Sequence, residues 1–83
     1  MYIILFSRKA AKSIKKLPIN YRTNLKEKFE RLKENPFSFP YKKIKGEENI
    51  YRIRIGPYRV LYELNIKERF IIILKVDHRS SVY

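Results

Sequence analysis

Residues 51–64 read YRIRIGPYRVLYEL, and their alternation constrains the fold more than any other stretch of the chain. Tyr51, Ile53 and Ile55 fall on one side of an extended strand, Arg52 and Arg54 on the other. After Gly56-Pro57 the period resumes, with Tyr58, Val60 and Tyr62 opposed to Arg59 and Glu63. Strand side chains point to alternate faces, so a period of two fits a half-buried hairpin and no helix. Its strands are expected at 51–55 and 58–64. Burial accounts for the apolar members. It does not account for three arginines on the other face, where any solvated residue would serve.

The other elements must cover the apolar face. Residues 2–6, YIILF, are short and apolar and read as a buried strand. Ser7 is placed to cap a helix with Ala10, Ala11, Ile14 and Leu17 on one stripe, and Pro18 ends it. Tyr21, Leu25, Phe29 and Leu32 form the stripe of a second helix, stopped at Asn35-Pro36. Residues 36–49, PFSFPYKKIKGEEN, have no clear period and read as a long connection. Two prolines restrain it, Phe37, Phe39 and Tyr41 give it something to bury or stack, and Lys42, Lys43 and Lys45 charge it. Connections of this length in compact domains are often functional. A turn at 65–68 leads into RFIIILKV, 69–76, which is apolar on both faces and belongs inside the sheet. The expected fold is α+β, one small domain over residues 1–83 in the order β-α-α-β-β-β. A helical hairpin covers one face of an antiparallel-rich sheet, and the arginines lie on the other.

Charge narrows the function. Lys and Arg number 20 against 8 Asp and Glu, a net charge of +12 on 83 residues. Ion-pair networks would balance the signs. A surplus this large draws polyanions, either nucleic acid or an acidic protein. The chain has no cysteine, which excludes disulfides and thiolate chemistry. The opening MYIILFS is too short for a signal peptide or a bilayer span, so a cytoplasmic protein without membrane association is expected. His78 and Asp77 are the sole histidine and aspartate, and Gly46 and Gly56 the only glycines. Zinc sites, two-metal carboxylate clusters and glycine-rich phosphate loops all need more than this. Neither metal nor cofactor is expected.

A nuclease without metal has one accessible route: the RNA 2′-hydroxyl attacks the adjacent phosphate. The protein must splay the substrate, move protons and place cations on the developing phosphorane charge. Arginines suit the last task, because each presents a fixed fork of donors to phosphate oxygens. They are poor proton carriers, with a pKa above about 12. Acid–base work therefore falls to Tyr83 or His78, and a tyrosine can also stack on a base.

KIKG at 43–46, YRIRIGPYRVLYEL at 51–64 and HRSSVY at 78–83 together resemble the RelE branch of the RelE/ParE toxin superfamily. The resemblance covers the chain in element order, and its specific motifs occupy about the second half. It implies a type II toxin, partnered by a RelB-like antitoxin, that cleaves messenger RNA in the ribosomal A site. By the same resemblance the catalytic residues are Arg52, Arg54, Arg59, Arg79 and Tyr83; the charge of the connection before the hairpin makes Lys42, Lys43 and Lys45 expected RNA phosphate contacts. Relatives often carry lysine at the positions of Arg52 and Arg54. Two other readings stand beside this one: a ParE-like inhibitor of DNA gyrase, and a non-catalytic RNA-binding remnant.

Overall fold

The computed structural model describes residues 1–78. Arg79 and Tyr83 thus lie outside the described residues. The elements are β1 (Ile3–Phe6), α1 (Arg8–Lys15), α2 (Ile19–Glu34), β2 (Tyr41–Lys43), β3 (Ile50–Ile55), β4 (Tyr58–Asn65) and β5 (Phe70–His78). They build one five-stranded sheet in the order β1-β5-β4-β3-β2. β1 runs parallel to β5, and every other neighbouring pair is antiparallel.

The helices begin and end where local chemistry dictates. Ser7 caps α1, its Oγ accepting from the Ala10 N–H at 3.0 Å. The same hydroxyl donates to the Leu74 carbonyl at 2.8 Å. Leu74 is the extra residue of a β-bulge, because Leu61 faces Lys75 while Tyr62 faces Ile73. One side chain therefore starts a helix and ties it to the sheet. α2 stops at Asn35, which is extended (φ −151°, ψ 108°), as a residue before proline must be. Its side-chain oxygen then accepts from the Phe37 N–H at 2.9 Å.

The hairpin turn is equally determined. Gly56 has a φ of +57°, and Pro57 can only supply a negative φ. That sign pattern fits the two-residue II′ turn, whose twist matches the flanking strands.

The core lies between the helices and one sheet face. Leu25, Phe29 and Leu32 of α2 and Ala10 of α1 meet Ile53, Ile55, Tyr58, Val60, Tyr62, Leu64, Ile71, Ile73 and Val76. Both strands of the expected hairpin put their apolar set inward.

Two expectations are corrected. Residues 41–43 are not loop but a fifth strand, pairing with β3 over Tyr41–Ile53, Lys42–Arg52 and Lys43–Tyr51. Residues 3–6 form a strand, but an exposed edge rather than a buried one: Ile3 is 65% and Leu5 49% exposed. β1 has a neighbour on one side only, and the helices cover only the face opposite Ile3 and Leu5.

Candidate RNA-binding site

Register places the cations. Lys42, Arg52, Leu61 and Lys75 form one row across β2, β3, β4 and β5. Arg54, Arg59 and Asp77 form the next row, on the same face. Directly opposed residues have Cβ atoms about 5 Å apart, and rows two residues apart along a strand are separated by about 7 Å. Lys42–Arg52 and Arg54–Arg59 are thus two like-charge cross-strand pairs side by side. Such pairs cost roughly 0.2–1 kcal/mol each. A sheet face serving only solubility gains nothing from that arrangement.

Four of these cations, Lys42, Arg52, Arg54 and Arg59, border an open hollow of about 180 Å³ together with Pro40, Tyr41 and Ile53. Pockets for whole small molecules run to roughly 300–1,000 Å³. A smaller, cation-lined hollow suits one phosphodiester of a longer chain. Arg54 is exposed, while Arg52 and Arg59 are half-buried. Among the described residues, Arg52 and Arg54 make no ion pair. Asp77, across from Arg59, is paired with Lys75 at 3.1 Å.

The loop that carries β2 is held firmly. Arg31 donates to the Ser38 carbonyl at 2.6 Å and lies over the Phe39 ring at 4.2 Å. The Tyr62 hydroxyl donates to the Pro36 carbonyl at 2.9 Å. Burial, with smaller contributions from Tyr51 and Tyr41, raises the Tyr62 pKa well above its ordinary value. Burial also raises Tyr58, with Tyr21 adding to it. Both are therefore neutral packing groups rather than acids or bases, and Tyr62 is also a hydrogen-bond donor.

Not every expected residue converges. Lys42 lines the cavity, but Lys43 pairs with Tyr51 and so sits on the helix-side face. Lys45 lies in the turn beyond β2. His78 pairs with Tyr58, its ring 5.4 Å away, which also puts it on the face opposite the arginines. Sequence reasoning missed Pro40 and Tyr41 as cavity walls. The one available signal was the proline-aromatic pair immediately before two lysines. Among the described residues no three His, Cys, Asp or Glu side chains cluster as a metal site. No helix of the described residues is long and apolar enough to cross a membrane.

The family model described as the ParE toxin of type II toxin–antitoxin systems matches residues 4–83. The chain belongs to the ParE toxin family. The toxin is also 38% identical over 79 residues to a Methanocaldococcus jannaschii protein designated RelE1, covering 92% of this chain and 88% of that one. Among solved structures it is similar to the RelE–RelB complex of Pyrococcus horikoshii, with a TM-score of 0.81, 29% identity and 94% of each chain covered. It is similar too to the RelB–RelE antitoxin–toxin complex of Methanococcus jannaschii, with a TM-score of 0.77 and 36% identity. That match covers 95% of this chain and 94% of its counterpart. The toxin is thus a RelE-type member of the type II systems, and its α+β fold is that of the RelE toxins.

Proposed function

We propose that this toxin is a ribosome-dependent, metal-independent endoribonuclease acting on messenger RNA in the ribosomal A site. The single observation that carries this reading is the two like-charge cross-strand pairs, Lys42–Arg52 and Arg54–Arg59, bordering one small hollow. In the reaction the 2′-oxygen bonds to the adjacent phosphorus as its proton leaves to a base. The bond from phosphorus to the 5′-oxygen then breaks, and that oxygen takes up a proton. The products are a 2′,3′-cyclic phosphate and a free 5′-hydroxyl. Arg52, Arg54 and Arg59 hold the phosphate oxygens and stabilise the extra negative charge of the phosphorane. Arg79 and Tyr83 complete the set by motif resemblance, with Tyr83 moving a proton. His78 is the weaker candidate for that task, because the strand register turns it to the other face.

The proposed partner is a RelB-like antitoxin, in keeping with the RelB-bound relatives. We assign it the β1 side of the molecule. There, among the described residues, an unpaired strand edge borders an apolar groove of about 740 Å³, lined by Tyr2, Phe6, Ile14, Leu25 and Phe29 and rimmed by Arg22, Lys26 and Lys33, with Glu30 paired to Lys33 at 3.5 Å. Unpaired strand edges invite an added strand, and the basic rim favours an acidic one. Action on translating ribosomes makes the toxin cytoplasmic.

Arg59→Ala tests the site. It should leave the chain folded by circular dichroism and reduce cleavage of ribosome-bound message by at least about 100-fold; undiminished cleavage refutes the assignment. Gyrase inhibition is the second reading, favoured by the name of the matching family. A supercoiling assay that responds to the toxin, with message left whole, would decide for it.

A further inference from the structure

We propose that Tyr41 is a base-stacking residue, receiving the nucleobase beside the phosphodiester held by Arg52, Arg54 and Arg59. The inference rests on the RNA reading above and adds a contact to it. Tyr41 belongs to two structures at once. It lines the cationic cavity, and it is the outermost member of a ladder of rings running from the core to the β2 edge.

The ladder begins at Tyr62, which is fully buried and tied to the Pro36 carbonyl. Tyr51 stacks on it, with centroids 5.8 Å apart and planes at 24°. Phe37 and Tyr41 follow, 5.8 Å and 5.5 Å from Tyr51 and 5.0 Å from each other. They emerge 38% and 49% exposed. Among the described residues no strand flanks β2 on its outer side. The strand register directs Tyr41 to the face opposite Arg52, so RNA leaving the cavity over the β2 edge meets the ring next.

A half-exposed tyrosine adds little to a core that is already closed beneath it. Its ring is nonetheless fixed by two other rings, so it loses little rotational freedom when a base stacks on it. Lys42 and Lys43 follow it in sequence and draw the phosphate chain to the same edge. Stacking of this kind tolerates any base, because every base offers a π-face.

The full-length toxin is titrated at low salt with a fluorescent hexamer of 2′-O-methyl uridine, which cannot react, and with the same hexamer carrying abasic sites. Tyr41→Ala should bind the uridine hexamer roughly 5- to 150-fold more weakly than wild type. Tyr41→Phe should bind it like wild type, and Tyr41→Leu like Tyr41→Ala. On the abasic hexamer wild type and Tyr41→Ala should bind alike. Thermal melts of all variants identify any that fail to fold, and Tyr41→Leu keeps the apolar bulk if Tyr41→Ala does not fold. Equal binding of the uridine hexamer by wild type and Tyr41→Leu overturns the stacking role. If Arg52→Ala still weakens binding in that case, the RNA reading stands without it. If wild type does not bind the hexamer at all, the base contact is overturned, and cleavage of ribosome-bound message by wild type against Arg59→Ala decides the RNA reading separately. If the Tyr41 variants lose only antitoxin binding, the ring belongs to a protein interface and the proposal is wrong.

Discussion

Replacing Tyr62 with phenylalanine should change sign in its effect on stability as pH rises. The ring is fully buried and its hydroxyl makes one hydrogen bond, to the Pro36 carbonyl at 2.9 Å. At pH 7 the variant loses that bond and leaves the carbonyl unpaired, a cost of about 1 kcal/mol. At high pH the balance turns. Burial raises the folded-state pKa of Tyr62 above its ordinary value of 10.0. A raised folded pKa means that the unfolded chain gives up the proton first, so stability is complete below pH 10 and falls as pH climbs. Deprotonating an unfolded tyrosine stabilises the unfolded state by RT ln(1 + 10^(pH − 10)), which is about 1.4 kcal/mol at pH 11. Phenylalanine escapes that loss. Every other titrating group is common to both proteins and nearly cancels in the difference. Wild type should therefore be more stable by about 1 kcal/mol at pH 7, and the variant by about 0.4 kcal/mol at pH 11. The curves should cross between about pH 10 and 11. Urea unfolding at a series of pH values reads this directly. A stability difference that stays constant from pH 7 to pH 11 would refute the reasoning, because it would mean that Tyr62 titrates alike in both states.

Three further outcomes follow from the same geometry. Ser7→Ala removes both the α1 cap and the bond to the bulge carbonyl of Leu74, and should cost roughly 2 kcal/mol in urea unfolding. Arg54→Thr relieves the like-charge pair with Arg59 and should raise stability by roughly 0.2–1 kcal/mol. The same variant should lose most RNA cleavage, so unfolding and cleavage assays move in opposite directions. Ile3→Glu, at an exposed position of the β1 edge, should leave melting and cleavage unchanged while weakening antitoxin binding measured by calorimetry.

The sequence carried the hairpin and both helices plainly, because each is long enough for its period to repeat. The inward set of Tyr58, Val60 and Tyr62 and the outward set of Arg52, Arg54 and Arg59 follow from alternation alone. β2 was not legible. Three residues between Pro40 and Ile44 show no period, and their strand conformation depends on pairing with β3. The same short register separates Lys42 from Lys43, which composition treats as equals. Apolar character at 3–6 suggested burial, yet it cannot tell a central strand from an edge, and only the place beside β5 decides that. His78 likewise looked available until its pairing with Tyr58 fixed its face. Tyr41 was legible as a ring to bury or stack, but its neighbours were not, because the rings come together from three separate segments.

The most direct test of the central claim uses ribosomes programmed with two messages that differ by one oxygen, a ribose or a 2′-deoxyribose on the 5′ side of the cleaved bond. The account predicts that wild-type toxin cuts only the ribose message, leaving a 2′,3′-cyclic phosphate in the A-site codon, and that Arg59→Ala cuts neither. Equal cutting of the two messages, or full activity of Arg59→Ala, would contradict it.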